Sequence, residues 1–435
     1  MGNSSVVALP RATAGEHTLF GHNSVRTVGE AQSLVRVAGR LFTPGEQVLA
    51  QNVEVPQARQ TFTVLANRAA CQWGYQHGIN EHGVAAGTTK TFSRIATTQP
   101  ALCGPDLVRL VLERACSALQ AVDLATDLIA RLGQGGGKMT GRYRDCSLLI
   151  ADRQEAYLLV TAGPYWAVQE VGAVRAVTSI CHLRQDWDRV SPGLADLVLE
   201  HGWWPEDGSK IDFEGTLCED GPPATAGLRR WGHATLLLEE QNGHIESYFL
   251  RRLLADHYEG CLDEADPCDP NPTDNTICRH AENADAREAA VSLIADLGRA
   301  DGPAPLGWWA FGPPCQSVYF PVVFAGELPA EFSSEGPGAV DSVWRRMQRL
   351  TREVARAPGR RQAVCEAMSA LQARFDQAAL DYHDEAAALH QHGDHDEAHR
   401  VATLFMQHNL EQFETAWLGL MEEGQVSLGL AATPG

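Results

Sequence analysis

The sequence predicts an α+β fold, in which short strands, central helices, further strands and a helical tail follow one another along 435 residues. Three observations lead to this prediction. Short apolar, β-branched segments are typical of strands near the start of the chain and again near residue 150. Apolar residues recur at helical spacing between residues 105 and 132, and they do so again from residue 341 onward. Strands and helices that alternate in groups indicate packed α and β layers.

The strand signals begin at residues 5–10, which are short, apolar and β-branched. Ala14 and Gly15 predict a turn, after which residues 17–20 form the returning strand. The other predicted strands lie at residues 48–50, 61–65, 146–150 and 156–160, and the last two form a hairpin.

The helical signals come in two groups. Pro105 suits a first helical position, and an apolar stripe then runs to Ala115, with a second stripe from Leu119 to Leu132 that Gly133 ends. The second group starts at Asp341, after a predicted boundary at residues 335–338. Residues 263–275 are rich in Asp, Pro and Asn and predict a surface loop.

Composition and charge limit the classes of partner. The formal net charge of −20 argues against nucleic acid and against an anionic membrane surface, because both need a basic surface. No apolar run is long enough to cross a bilayer. The first residues lack the pattern of a secretion signal, and eleven cysteines are scattered along the chain. These features predict a cytoplasmic protein with free thiols.

Candidate metal ligands occur in two places. His395 and His399 stand one helical turn apart, but their polar neighbours favour an exposed connection. Cys261, Cys268, Cys278 and His280 loosely resemble zinc ligands. They lack paired Cys-x-x-Cys spacing, so core thiols and loop residues are the favoured interpretation. A glycine run at residues 135–137 follows a helix and favours a linker over a phosphate site. The sequence therefore predicts neither metal nor cofactor.

Several short segments occur in a fixed order along residues 5–325. They are SVVALP from Ser5, FGHNSVR from Phe20, WG from Trp73, NEHGV from Asn80, GPDLVRLVLER from Gly104, GQGG from Gly133, GPYWA from Gly163 and GWW from Gly202. Their order and spacing resemble the secernin and dipeptidase group of N-terminal-nucleophile (Ntn) hydrolases. In secernins a cysteine stands where this chain has Ser5.

The resemblance implies a four-layer αββα sandwich at residues 5–330, a C-terminal helical extension at residues 339–435 and a propeptide at residues 1–4. It also implies that Ser5 becomes the first residue and attacks an amide carbonyl. The freed α-amine, with a pKa of about 7.7–8.0, acts as the base. An acyl-enzyme then forms and is resolved by water or an amine.

Serine is a weaker nucleophile than cysteine and depends more on its base. One hypothesis is that Ser5 replaces a native cysteine, so that processing or turnover is blocked. Without the neighbouring segments, an ordinary strand-edge serine would be the favoured interpretation.

The resemblance gives further candidate residues. The predicted catalytic set is Ser5, His22, Asn80, Thr88 and Arg230, and the predicted substrate-binding set is Asn23, Arg26, Trp73, Glu81 and Arg229. His22 stands where related acylases have Arg or Lys, and it is equally well explained as a structural histidine. Thr88 stands where an oxyanion-binding Asn is usual. For Asn80 and Glu81, a turn role is as well supported as catalysis.

The chain also departs from the group at Val25, Val160 and Ile180, where polar residues are usual. These losses predict a less charged substrate than a dipeptide, such as a specialised metabolite. Three functions stay open: an amide hydrolase, an acyltransferase on the same scaffold and a non-catalytic binding protein. The expected partner is a small-molecule or peptide amide, and the helical tail is either a surface for homo-oligomers or an intramolecular seam.

Overall fold

The computed structural model describes residues 2–70, 72–95, 100–135, 145–218, 224–258, 276–281, 286–298, 304–335 and 341–427. The strands are β1 Ser4–Ala8, β2 Leu19–Thr27, β3 Gln32–Val37, β4 Gln47–Leu49, β5 Glu54–Pro56, β6 Val64–Ala69, β7 His77–Asn80, β8 Ala85–Thr91, β9 Asp145–Ala151, β10 Ala156–Ala162, β11 Tyr165–Glu170, β12 Val174–Thr178, β13 Arg189–Val190, β14 Arg287–Asp296, β15 Leu306–Phe311 and β16 Phe320–Val322. The helices are α1 Gly104–Arg114, α2 Ala118–Leu132, α3 Leu194–Glu200, α4 Phe213–Leu217, α5 Ala224–Glu240, α6 Ser247–Leu254, α7 Val343–Arg356, α8 Arg361–His392 and α9 His395–Ser427.

Two antiparallel sheets form the centre of the molecule. One has six strands in the order β12-β1-β2-β14-β15-β16, and the other has eight in the order β13-β11-β10-β9-β8-β7-β6-β3. The two sheets face each other. Strand β1 packs against β8 and β9, and strand β14 packs against β7. Helices α1 and α2 cover the outer face of the larger sheet, while α5 and α6 cover that of the smaller one. The predicted α+β fold with four αββα layers is therefore confirmed.

The register of β1 and β2 positions the two residues of greatest interest. Ser5 lies directly opposite His22, so both side chains leave the sheet on the same face. Val6, Val7 and Phe20 are fully buried around them. This segment forms a strand because its β-branched and aromatic side chains fill the sandwich on both faces of the sheet.

The ends of the central helices follow the local sequence. Pro105 lies in the first turn of α1, and Asp106 accepts a hydrogen bond from the backbone N–H of Cys103 at 3.0 Å. Ser117 caps α2 by accepting from the N–H of Gln120 at 3.2 Å. Gly133 ends that helix with a φ of 73°, a conformation that favours glycine. The predicted start at Pro105 and stop at Gly133 are confirmed.

The C-terminal helices α7, α8 and α9 pack against β15 and β16. The Phe320 ring lies 5.4 Å from that of Phe375 and 5.1 Å from that of Phe413, measured between centroids. Phe375 on α8 and Phe413 on α9 are fully buried. The helical tail therefore shares a hydrophobic core with the sheets, as an intramolecular seam would.

Several strand predictions need correction. β2 begins at Leu19 rather than at His17 and runs on to Thr27, and β6 begins at Val64 rather than at residue 61. Strands β3, β7, β8 and β14 were not expected. The predicted loop at 263–275 lies outside the described residues, as does most of the predicted boundary at 335–338. Across the described ranges, no helix is both long enough and apolar enough to span a membrane.

Candidate active site

The centre of the candidate site is a contact between a serine and a histidine on neighbouring strands. Ser5 Oγ lies 2.7 Å from His22 Nδ1, and both side chains are fully buried. Burial lowers the pKa of His22 to about 3, because the protein interior disfavours the charged imidazolium. The ring is therefore neutral at neutral pH, and its Nδ1 can accept a hydrogen bond from the Ser5 hydroxyl. A nucleophile beside a nitrogen base is the arrangement of nucleophilic catalysis, but in this buried state a pKa of about 3 makes the imidazole a weak base.

A glycine on the facing sheet makes room for this pair. A Cβ on Gly87 of β8 would lie 2.5 Å from His22 Nδ1 and 3.2 Å from two further ring atoms. Any larger residue at position 87 would push the imidazole away from Ser5. The close approach of β8, in the facing sheet, thus limits where the His22 ring can lie.

The ring of a second histidine, His77 on β7, packs against the His22 ring at a tilt. The two ring centroids lie 4.7 Å apart, and His77 itself stacks on Trp309 at 5.3 Å. Ser24, two residues beyond His22 on β2, lies with its Oγ 3.1 Å from His77 Nδ1. Burial, followed by the proximity of His22, lowers the pKa of His77 well below its ordinary value. His77 was not among the predicted site residues, because β7 carries no strand signal. It stands between the WG segment at Trp73 and the NEHGV segment at Asn80.

Residues 2–4 fill the end of the cleft between the sheets, next to Ser5. Asn3 joins the two sheets: its Nδ2 donates to the Thr88 carbonyl at 2.8 Å, and its Oδ1 accepts from the Val25 N–H at 2.8 Å. A Cβ on Gly2 would lie 2.9 Å from Nη2 of Arg230. Residues 2–4 thus occupy buried space beside the candidate nucleophile.

A pocket of about 340 Å³ opens beside Asn3. Its lining residues are Asn3, Arg26, Gln51, Asn52, Gln72, Gly74, Gln76, Thr88, Lys90, Cys103, Gly104, Pro105, Asp145 and Cys146. The volume lies at the small end of the range for ligand sites. The wall includes the side-chain amides of five residues, the cations of Arg26 and Lys90, the Asp145 carboxyl and apolar groups. The pocket can therefore hold a small ligand that has both polar and apolar parts.

One pocket carboxyl has an altered acidity. Asp145 is buried, and burial raises its pKa to about 6. Its Oδ1 accepts a hydrogen bond from the Gly163 N–H at 2.6 Å. Asp145 was not among the predicted site residues, because its neighbours in the sequence match none of the quoted segments.

Five predicted residues gather around the N-terminal segment. Ser5 and His22 form the central contact, and Thr88 and Arg26 line the pocket with Asn3. Arg26 also pairs with Glu30. Arg230 is buried against Gly2.

The structure places Asn80 in a structural position instead. Its Nδ2 donates to the carbonyls of Leu112 and Ala115 at the end of α1, both at 2.8 Å. Its Oδ1 accepts from the N–H groups of His82 and Val84, at 3.1 and 3.0 Å. All of the amide is used to hold a turn against a helix end. These contacts are those of the turn role, which was the alternative to catalysis.

Three of the predicted substrate-binding residues lie away from the pocket, and Trp73 lies at its edge. Glu81 is exposed and accepts from the Thr63 N–H at 2.9 Å, while Arg229 is exposed on α5. The buried Nδ2 of Asn23 donates to the carbonyls of residues 254 and 277, on the side of α6. Trp73 lies beside the pocket residues Gln72 and Gly74, with the Arg109 guanidinium 4.2 Å above its ring. Of the neighbouring Arg229 and Arg230, the structure therefore brings only Arg230 to the site.

One group of side chains in the described ranges could hold a metal ion. Donor atoms of His257, Cys278, His280 and Cys315 all lie within 4.8 Å of one another. Cys278 and His280 were candidates from the sequence, whereas Cys261 and Cys268 lie outside the described residues.

The other histidine cluster does not form such a group within the described ranges. His399 is half exposed and lies 3.6 Å from Glu327.

No family model matches the chain. Among solved structures, the chain is similar to a cysteine-to-alanine mutant of conjugated bile acid hydrolase from Clostridium perfringens, with a TM-score of 0.39 and 11% identity over 72% of this chain and 89% of that one. For an arginine-to-leucine variant of the same enzyme, the TM-score is 0.37 and the identity 11%, over 71% of this chain and 89% of that one. For an N-acylethanolamine-hydrolyzing acid amidase ortholog from Caenorhabditis elegans, the TM-score is 0.35 and the identity 10%, over 68% of this chain and 94% of that one. TM-scores below 0.5 do not establish the family or the activity.

Proposed function

We propose that this chain is the precursor of an amide hydrolase of the N-terminal-nucleophile class, with Ser5 as the nucleophile. The observation that carries the proposal is the 2.7 Å contact between Ser5 Oγ and His22 Nδ1, next to residues 2–4 in the inter-sheet cleft. The motif resemblance to secernins and dipeptidases supports it independently. Removal of residues 1–4 would free the Ser5 α-amine and open the space that Asn3 and Gly2 occupy.

The reaction would follow from these groups. Ser5 Oγ attacks the amide carbonyl carbon of the substrate, and its proton passes to the Ser5 α-amine or to His22 Nδ1. The tetrahedral oxyanion forms where residues 2–4 lie in the precursor, within reach of the Arg230 guanidinium. The C–N bond then breaks, the leaving amine takes up the proton, and an ester remains on Ser5. Water, deprotonated by the same base, hydrolyses that ester and restores the hydroxyl.

His22 would change character on processing. In the intact chain its burial holds the imidazole neutral, with a pKa of about 3. Water entering the vacated cleft would reduce the desolvation, so the pKa would rise toward the ordinary value of about 6.5. A pKa nearer to neutral makes His22 a stronger base at neutral pH.

The substrate we propose is a small polar amide whose acyl part carries a hydrogen-bond acceptor or a carboxylate. The pocket beside Asn3 supports this through its size, its side-chain amides and its cations Arg26 and Lys90. A specialised metabolite fits such a pocket.

The test compares four proteins by intact mass and hydrolysis: the chain that begins at Ser5, its Ser5→Ala counterpart, the full-length Ser5→Cys chain and the full-length serine chain. A chain that begins at Ser5, released from a cleavable fusion, should hydrolyse a panel of small N-acyl amides, and its Ser5→Ala counterpart should not. A full-length Ser5→Cys chain should lose residues 1–4. If the serine form loses these residues by itself, Ser5 is not an inactivating replacement of a cysteine. A chain from Ser5 that hydrolyses no more of the panel than the alanine variant would contradict the proposal and favour a binding protein.

The same assay separates hydrolysis from acyl transfer. With an added amine acceptor, a hydrolase gives the free acid as the main product, whereas an acyltransferase gives the new amide. Both need the ester on Ser5, so both lose activity in Ser5→Ala.

A further inference from the structure

We propose that His257, Cys278, His280 and Cys315 form a structural Zn²⁺ site with four protein ligands. The site lies at the outer side of the six-stranded sheet, away from the Ser5–His22 contact. It rests on the geometry of these four side chains and is independent of the proposed amide hydrolysis.

The donor atoms have the spacing of a tetrahedral shell. With about 2.0–2.1 Å for Zn–N and about 2.3 Å for Zn–S, a tetrahedron has edges of about 3.3 Å between two nitrogens and about 3.6 Å between nitrogen and sulfur. His257 Nε2 and His280 Nε2 lie 3.1 Å apart. His280 Nε2 lies 3.6 Å from Cys278 Sγ and 3.2 Å from Cys315 Sγ. The three distances at His280 Nε2 lie within about 0.4 Å of these tetrahedral edges, and the remaining pairs of donor atoms lie within 4.8 Å of one another.

The four ligands come from separate parts of the chain. His257 follows α6, Cys278 and His280 precede β14, and Cys315 lies in the turn between β15 and β16. The backbone joins two of these parts, since the Cys278 N–H donates to the Asp256 carbonyl at 3.0 Å. An ion here would fasten the end of α6 to the outer strands, as structural zinc sites do.

Burial and charge also favour a bound cation. His257 is 2% exposed and Cys278 is fully buried, whereas His280 and Cys315 are half-buried. Zn²⁺ stabilises thiolates, so binding would release a proton from each cysteine that is still a thiol. Two imidazoles and two thiolates would then give a neutral site.

The two cysteines are free thiols in the structure, as metal ligation requires. A Cys278–Cys315 disulfide is the competing arrangement.

The experiment uses the full-length chain, purified with a thiol reductant. After removal of metal by a chelator, we expect about one Co²⁺ per chain to bind, with the visible absorption of tetrahedral cobalt and thiolate-to-cobalt charge transfer in the near ultraviolet. Zn²⁺ should displace the cobalt and bleach both signals. Cys278→Ser and Cys315→Ser should each abolish the charge-transfer signal or reduce it severalfold. Cys116→Ser, at an exposed thiol outside the cluster, is the matched control and should leave it unchanged.

Several results would overturn the proposal. One is a wild-type chain that takes up no Co²⁺, or takes it up without charge transfer, a measurement that needs no variant to fold. Another is binding that survives both cysteine variants but disappears in a His395→Ala/His399→Ala double variant, which would place the metal on the tail. A third is a reductant-free protein whose mass and peptide map show a Cys278–Cys315 disulfide and which regains no metal site on reduction.

Discussion

Gly87→Ala is the substitution that most directly perturbs the Ser5–His22 contact without removing either residue. The added Cβ would lie 2.5 Å from His22 Nδ1, about 1 Å inside an ordinary van der Waals contact. His22 is fully buried and has His77 stacked at 4.7 Å, so the ring has little space to retreat. A shift of that size would lengthen the 2.7 Å hydrogen bond beyond useful range.

The expected cost combines three contributions. Overpacking a buried site costs about 1–3 kcal/mol, and loss of one buried hydrogen bond adds about 0.5–1.5 kcal/mol. Replacing glycine returns about 0.4–1 kcal/mol through the unfolded chain. We therefore expect a loss of about 0.5–4 kcal/mol in the free energy of unfolding, measured by urea denaturation at constant m-value. Acylation of Ser5 should slow in parallel.

Two controls make this result specific. Gly232 on α5 has nothing within 4 Å of a built Cβ, so Gly232→Ala should be neutral or stabilising. In a double-mutant cycle, His22→Ala should remove most of the cost of Gly87→Ala, because the clashing ring is gone. Full additivity, or a Gly87→Ala protein with unchanged stability and Ser5 reactivity, would refute the packing described for His22.

Three further predictions address other parts of the molecule. His182 is buried, and burial is the main cause that lowers its pKa to about 3, so below about pH 6.5 it takes up a proton on unfolding. The free energy of unfolding should therefore fall as pH falls from 6.5 toward 3. His182→Gln should reduce that slope by up to about 1.4 kcal/mol per pH unit in urea unfolding. Arg230→Met should lower kcat/KM of the chain from Ser5 roughly 10- to 100-fold, the value of a charged hydrogen bond, whereas equal losses in Arg230→Met and exposed Arg229→Met would contradict our placement of the site. Asn80→Ala should cost about 2–4 kcal/mol in stability, because it leaves two buried carbonyls unpaired, yet its folded fraction should acylate at the normal rate; a selective loss of acylation would restore the catalytic role.

The elements predicted well are those with local signals. Pro105 and Gly133 mark helix ends through backbone conformations that only a few residues favour. The β1–β2 hairpin is predicted from two short apolar segments on either side of a turn at Ala14 and Gly15. β14 was missed because its segment REAAVSLIAD contains residues that also suit a helix. Only its place between β2 and β15 in a buried sheet makes it a strand.

The candidate site shows the same division. Ser5 and His22 were predicted because the motif that carries them is contiguous with β1 and β2. Asn80 and Asn23 stand in equally recognisable segments, but the face on which each side chain emerges depends on register and on helix packing. His77 and Asp145 approach the site only through the pairing of distant strands, so no local pattern announces them.

The central claim is that Ser5 is the residue acylated by substrate. The most direct measurement is peptide mass spectrometry of the chain from Ser5 after treatment with a serine-directed acylating probe. We expect one adduct, on the peptide that begins at Ser5. It should be absent from a Ser5→Ala chain, and it should form more slowly in His22→Ala. An adduct on another residue, or equal labelling of the Ser5→Ala chain, would contradict it.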